Sequence, residues 1–238
     1  KSALPIETFS ILGISEKALS IYKHWNFETG KIEQYFFPNP NGKYVLSSGL
    51  EIFTCEKKER VEDPFILEKL SKEMFEKLPD DAKIFEELSN YKSKNYYVNR
   101  FFHHPIYQYF FYAINDKEKV ISIIIMRVCG DSENKCVRIV DFIGSVTALS
   151  GVSNQLIALM EERGYEYIDF MEVGLKDKEL KDAGFKRRKD FPEVILPNYF
   201  EPFVKENIDL DYAYKTVGEE KKVIFFKADA DQDRPNIK

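Results

Sequence analysis

The chain has 238 residues, of which 44% are hydrophobic and 32% charged, and carries a formal net charge of −5. That balance fits a globular chain of one or two domains and excludes an ordinary nucleic-acid footprint, which needs a basic face. No apolar run reaches the roughly 20 residues needed to span a bilayer; the longest candidate, VISIIIMRV, is strand-sized.

Three cysteines (Cys55, Cys129, Cys136) without a CxxC pair make no disulfide framework and predict a reducing, cytoplasmic setting. No signal peptide pattern is visible. The chain opens on Lys1 rather than Met, so its natural start is left open.

Residues 6–14 read as a strand, with Ser15 as N-cap of a short helix whose apolar face is Ala18, Leu19 and Tyr22. Residues 32–37 read as a second strand, ended by the breaker PNPNG. Residues 43–61 suggest a short strand pair connecting two units. Asp63-Pro64 then signals a helix start, and Leu67, Leu70, Met74, Phe75 and Leu78 recur at helical spacing. A second helical stretch is expected over about 82–99.

Three strands follow as an antiparallel meander: 107–114, 120–129 and 136–144. The middle one is apolar on both faces and should be central. GDSENK is the tip of the second hairpin, which lets Cys129 and Cys136 face each other as buried free thiols. Over 152–163, Val152, Leu156, Leu159 and Met160 share one helical face, and Gly164 fits the C-cap. Strand 165–172, a short helix and turn in KDKELKDAGF, and strands 193–196 and 223–228 complete the pattern. The closing DADQDRPNIK has no apolar period and reads as a tail or lid.

Metal chemistry finds little support. Asp229, Asp231 and Asp233 have the first spacings of a calcium loop, but Arg234 stands where the loop needs glycine. His103-His104 has no acidic or cysteine partner nearby, and no HExxH, nucleophile elbow or P-loop occurs. No metal is predicted.

The element order over about 63–228 resembles the GNAT (GCN5-related N-acetyltransferase) superfamily. The resemblance implies an α+β fold with a mixed, mostly antiparallel central sheet flanked by helices. That family places Q/R-x-x-G-x-G/A at a helix start, where free backbone N–H groups hold the pyrophosphate of acyl-CoA. ALSGVS, residues 148–153, aligns there: Gly151 matches, Ser153 replaces Gly or Ala, and Ala148 replaces the Gln/Arg. A plain N-capped helix start is the competing reading of the same residues. The family's late helix reads A-x-x-x-Y-x-x-x-G-F. SEKALSIYKHWNF matches with Ala18, Tyr22, Asn26 and Phe27, and Asn tolerates the left-handed conformation of the Gly it replaces. KDKELKDAGF matches with Gly184-Phe185 but carries Leu180 at the Tyr position, and leucine cannot donate a proton.

Two copies of the late motif imply a tandem arrangement. Residues 1–60 would be the closing portion of a first unit plus a connector, 61–228 a complete second unit, and 229–238 a tail. The rival is a single domain with 1–60 as an extra layer.

By resemblance, the co-substrate is acetyl-CoA or another acyl-CoA, bordered by Phe142, Ile143, Gly144, Gly151, Ser153 and Asn154. Asp141 and Asp169 would lie on the two strands that splay around the acyl group, as a base or as structural carboxylates. His104 is the other base candidate. The aromatic stretch 95–112 offers Arg100, His103 and Tyr107 for an acceptor, because aromatic faces stack on sugars. R-F-F-H-H-P and DQDRPN resemble patterns in GNAT-like proteins of bacterial surface-polysaccharide machinery. The expected function is acyl transfer to an amino sugar or sugar nucleotide by direct amine attack. The alternatives are a catalytically degenerate unit serving glycan binding or scaffolding, and a Fem-type aminoacyl transferase, against which the acidic charge argues. The oligomeric state is not predicted.

Overall fold

The computed structural model describes residues 8–54, 62–79, 83–85, 92–198, 204–217 and 223–230. Two sheets organise them. The larger has eight strands and runs β4-β5-β6-β7-β8-β3-β9, with β11 also paired to β8. Here β3 is Glu33–Pro38, β4 Ile66–Leu70, β5 Tyr109–Asp116, β6 Lys119–Gly130 and β7 Lys135–Gly144. Strand β8 is Tyr165–Val173, β9 Lys186–Arg187 and β11 Phe225–Phe226. Every pairing is antiparallel except β7 with β8. The sheet is therefore mixed and mostly antiparallel, as expected.

One face is covered by α4 (Ser153–Arg163) and α5 (Asp177–Asp182), which bury Leu156, Met160 and Leu180 against Ile139, Phe142 and Phe170. The other is covered by α2 (Lys72–Glu76), α3 (Lys94–Tyr97) and the turn that follows α3, where Phe75, Tyr97 and Phe101 pack on Phe111, Ile123 and Ile143. Alternate residues of a strand point to opposite faces, so the doubly apolar β6 feeds both cores. No helix among the described residues is long and apolar enough to cross a membrane.

The smaller sheet has the order β1-β10-β2, from β1 (Thr8–Ile14), β2 (Glu28–Lys31) and β10 (Asp211–Thr216), with α1 (Glu16–His24) between β1 and β2 in the chain. Ser15 caps α1, its hydroxyl accepting from the Ala18 amide at 3.4 Å. After α1, Asn26 takes the left-handed conformation (φ 57°) and the Phe27 amide donates to Tyr22 at 3.0 Å. After α5, Gly184 does the same (φ 91°) and the Phe185 amide donates to Leu180 at 3.0 Å. The two related motifs share one turn geometry.

Several elements depart from expectation. Residues 66–70 are a strand, not the start of a helix: ILEKL pairs with β5 from Ile66↔Asn115 to Leu70↔Phe111, and only Lys72–Glu76 is helical, capped by Ser71. The strand pair expected in 43–61 is absent among its described residues. Ser48 bridges Ile195 there, Leu50–Phe53 form a 3-10 turn, and 55–61 lie outside the described residues. That bridge is also the whole of the strand expected at 193–196. Of the helix expected over 82–99, residues 83–85 form a 3-10 turn, residues 94–97 are α3, and residues 82 and 86–91 lie outside the description. The chain then makes a π-helical turn, Val98–Phe102, a form concentrated at functional sites. Of strand 223–228 only two residues pair, before a 3-10 turn at Lys227–Asp229. Of the tail, 231–238 lie outside the description.

Candidate active site

Strands β7 and β8 run parallel from Lys135↔Tyr165 to Ile139↔Phe170 and pair no further. At that point β7 bulges: Ile139 faces Met126 and Asp141 faces Ile125, leaving Val140 unopposed on β6. A bulge bends its strand and re-aims the side chains beyond it. The ends of the two strands, 140–144 and 171–173, thus form the sides of a wedge, the splay that the family resemblance implies.

The wedge holds the chain's own residues. At Ile168, Asp169 and Phe170, β8 has β3 on one edge and β7 on the other. At Glu172 it pairs with Glu33 of β3 and with Phe226 of β11. A strand has two edges, so β11 stands on the edge facing β7, inside the opening. The turn after it lies against β7. Phe226 enters the core under α4 and stacks on Phe170, whereas Ala228 joins the opposite core with Val140 and Ile143. The segment therefore passes through the sheet plane.

A buried charge cluster fixes it there. Lys92 Nζ donates to Asp141 Oδ2 at 2.6 Å and lies 2.7 Å from Asp229 Oδ1. Asp229 Oδ2 accepts from the Phe226 amide at 2.9 Å, and Asp141 Oδ1 from the Phe142 amide at 2.8 Å. Burial pushes the Asp141 carboxyl up to about 6, with Lys92 opposing and Asp229 adding to the shift. Burial works against the Lys92 charge, but Asp141 and Asp229 together hold its pKa above the ordinary lysine range.

The start of α4 is also filled. Asp63 reaches across to accept from the amides of Asn154 (3.2 Å) and Gln155 (2.9 Å), and from both their side chains. Sequence assigns Asp63 to a helix of its own; it caps a different one, 90 residues away. Gln155 in turn donates to the Phe65 carbonyl and accepts from the Leu67 amide, stitching β4 onto α4. A Cβ at Gly151 would meet the Phe65 ring at 2.2 Å, so glycine there admits a phenylalanine. Ser153 donates to the Ala183 carbonyl at 2.9 Å, tying α4 to the α5 turn. Gly144 ends β7 with φ 87°, and a Cβ there would meet the Ile121 carbonyl at 2.6 Å. Phe142 and Ile143 point into opposite cores. Ala148 and Leu180 are core residues.

Asp169, on β8 between Arg138 of β7 and Phe36 of β3, does other work. Its carboxylate accepts from Arg138 Nε at 2.9 Å and Nη2 at 2.9 Å, and from Gln34 at 3.3 Å, all buried. His104 stacks on Tyr107 at 5.3 Å, and its Nδ1 accepts from the Ile106 and Tyr107 amides. The Arg127 guanidinium covers the Tyr107 ring at 4.2 Å. Arg100 lies 5.4 Å from the Phe101 ring and 6.0 Å from Tyr109. Arg100, His104 and Tyr107 thus share one aromatic patch, while His103 is exposed beside it. A separate cavity of about 420 Å³, lined by Asn39, Glu133, Glu161 and Glu166 among others, sits at the opposite end of β7 and β8.

Sequence reasoning missed Lys92 and Phe226, and considered Asp229 only as a calcium ligand. The Phe226–Asp229 hydrogen bond is local, but the contacts that make the cluster, Lys92 with Asp141 and Asp229 and Phe226 with Phe170, join residues 49 or more positions apart.

No protein-family model matches the sequence, and no curated protein matches it. Solved structures do. A conserved Enterococcus faecalis protein of unknown function, described as a probable N-acyltransferase, superposes with a TM-score of 0.50 at 9% identity, covering 89% of this chain and 45% of its own. The chain shares the fold of that protein. A GCN5-related N-acetyltransferase from Anabaena variabilis gives 0.47 at 11% identity over 90% of this chain and 46% of its own. A conserved Staphylococcus epidermidis protein of unknown function gives 0.48 at 10%, over 88% and 73%. At these identities the likeness is of fold alone, and the chain spans about half the length of the first two proteins.

Proposed function

We propose that this chain belongs to a GNAT-type acyltransferase that moves an acyl group from acyl-CoA to the amine of an amino sugar or sugar nucleotide. The observation that carries the reading is the parallel pair β7/β8 opening beyond Ile139 and Phe170, at the bulge that leaves Val140 unopposed on β6. Asp141 is the base in this reading: its raised pKa leaves it mostly ionised at neutral pH yet closer to that of an amine than an ordinary carboxyl. Asp169 holds Arg138. With Nδ1 already accepting, neutral His104 carries its proton on Nε2 and serves as a donor to the acceptor sugar, beside Arg100, His103 and Tyr107. The acyl-CoA border would be Phe142, Ile143, Gly144, Gly151, Ser153 and Asn154. The resemblance of R-F-F-H-H-P to polysaccharide-cluster proteins supports a sugar acceptor.

A two-unit organisation belongs to the same reading, with 1–60 closing one unit and 61–228 forming the other. The small sheet reads β1-β10-β2 and the matching part of the large one β8-β3-β9. In each, the middle strand comes from the other half of the chain, a reciprocal exchange.

Thiol release from acetyl-CoA in the presence of a panel of amino sugars tests the reading. Turnover is expected, and His104→Ala should reduce it far more than it weakens acetyl-CoA binding. Equal losses would remove His104 from the acceptor site, and no turnover with any amine would remove the transferase reading. In that event the non-catalytic reading stands, which the filling of the wedge and of the α4 start favours.

A further inference from the structure

As folded, the described residues leave no place for the acyl-CoA that the proposed function requires. The wedge contains Phe225–Asp229, and the α4 amides are taken by the Asp63 carboxylate. The backbone features of the site, the wedge, the bulge and the glycine at the helix start, are all present. The site is occupied.

We propose that Phe225–Asp229 is a self-supplied occupant of the acyl-CoA cleft, latched by Lys92 between Asp141 and Asp229, and that acyl-CoA enters only when this latch opens. The inference rests on the acyltransferase reading and names the regulation of that same site. Three features support it. The segment pairs with β8 through two residues only, Phe225↔Val173 and Phe226↔Glu172, a short contact for a strand inside a sheet. It lies along the free edge of β8, where an extended ligand would find unpaired backbone groups. A buried charge contact ties it to β7, beside the packing of Ala228 with Val140 and Ile143: Lys92 touches Asp141 of β7 and Asp229 of the segment, with both distances under 3 Å and all three groups largely shielded. Removing one partner of a buried charge cluster weakens what the cluster joins.

Asp63 closes the other end in the same manner. It is an anion seated on the amides that a pyrophosphate would use, 3.2 and 2.9 Å from the nitrogens. Acyl-CoA would therefore compete with two internal ligands, and its apparent affinity falls by the fraction of molecules in which both have left.

The test is calorimetric titration of acetyl-CoA into the wild type, Asp229→Asn and Asp63→Asn, each first shown to be folded by near-UV circular dichroism. Asp229→Asn keeps its shape and loses the charge that Lys92 holds. Phe225→Ala loosens the same strand from the β8 side and serves if Asp229→Asn does not fold. The expected result is weak binding by the wild type and binding at least about tenfold tighter in each variant. Equal affinity in all folded proteins, or binding by none, overturns the proposal. Tighter binding by the variants without transfer to any amine keeps the occupant and removes the transferase reading. Transfer by the wild type at the variants' affinity does the reverse.

Discussion

Phe226 lies against Phe170 with ring centroids 5.6 Å apart and 21° between their planes, inside the gap that separates β7 from β8. Phe170 is the last residue of β8 to pair with β7, so the stack marks the point where sheet gives way to wedge. A residue from the far end of the chain completes the core where two neighbouring strands part.

Phe226 is 1% exposed, and its truncation leaves a cavity between the two strands. Phe226→Ala should lower stability by about 3–5 kcal/mol, the range for large core aromatics. Urea unfolding would show a reduced midpoint at an unchanged slope.

The Arg138–Asp169 pair predicts an asymmetry. Both side chains are at most 2% exposed, so breaking the pair strands a buried charge. Asp169→Ala should cost about 3–5 kcal/mol, whereas replacing both by apolar residues of similar volume should recover much of that loss. Unfolding of the single and double variants measures the difference.

Burial sets the pH dependence at Asp141, whose folded pKa of about 6 lies above its ordinary 3.8. The folded state therefore binds this proton more tightly than the unfolded state. Asp141 contributes stability as pH falls from about 6 towards 4, and that contribution is lost as pH rises through 6. Depressed carboxylates such as Glu33 and Asp209 act in the opposite sense, losing their contribution as pH falls below the ordinary carboxylate range. Thermal melts between pH 4.5 and 7 should show the Asp141 slope, and Asp141→Asn should flatten it.

Strand exchange between the sheets predicts one cooperative transition. β3 cannot leave the large sheet, nor β10 the small one, without opening both halves. Urea unfolding followed by tryptophan fluorescence, which reports Trp25 beside the small sheet, and by far-UV circular dichroism should coincide. Two separated transitions would show that the halves are independent.

The legible parts of the fold are those fixed by local signals. Val152, Leu156, Leu159 and Met160 mark α4, and Gly164 ends it at φ 67°. The GDSENK hairpin sets Cys129 opposite Cys136. Asn26 and Gly184 reveal their shared turn because left-handed backbone selects few residues. Strand β4 was hidden because Leu67 and Leu70 also fit a helical face, and only the pairing with β5 decides between them. Polar DYAYKT gave no strand signal, and its place between β1 and β2 rests on contacts across about 180 to 210 residues. The wedge itself was legible through the family resemblance. Its occupant was not, since the latch joins Lys92, Asp141 and Asp229 from three distant segments.

The most direct measurement is hydrogen exchange of the Phe226 amide, which donates to Asp229 at 2.9 Å, with and without acetyl-CoA. If the gap between β7 and β8 is an acyl-CoA cleft filled by the chain itself, ligand should speed exchange at residues 225–229 and slow it at Asn154 and Gln155. Unchanged protection at saturating acetyl-CoA, in protein that binds it, would place the ligand elsewhere and contradict the account.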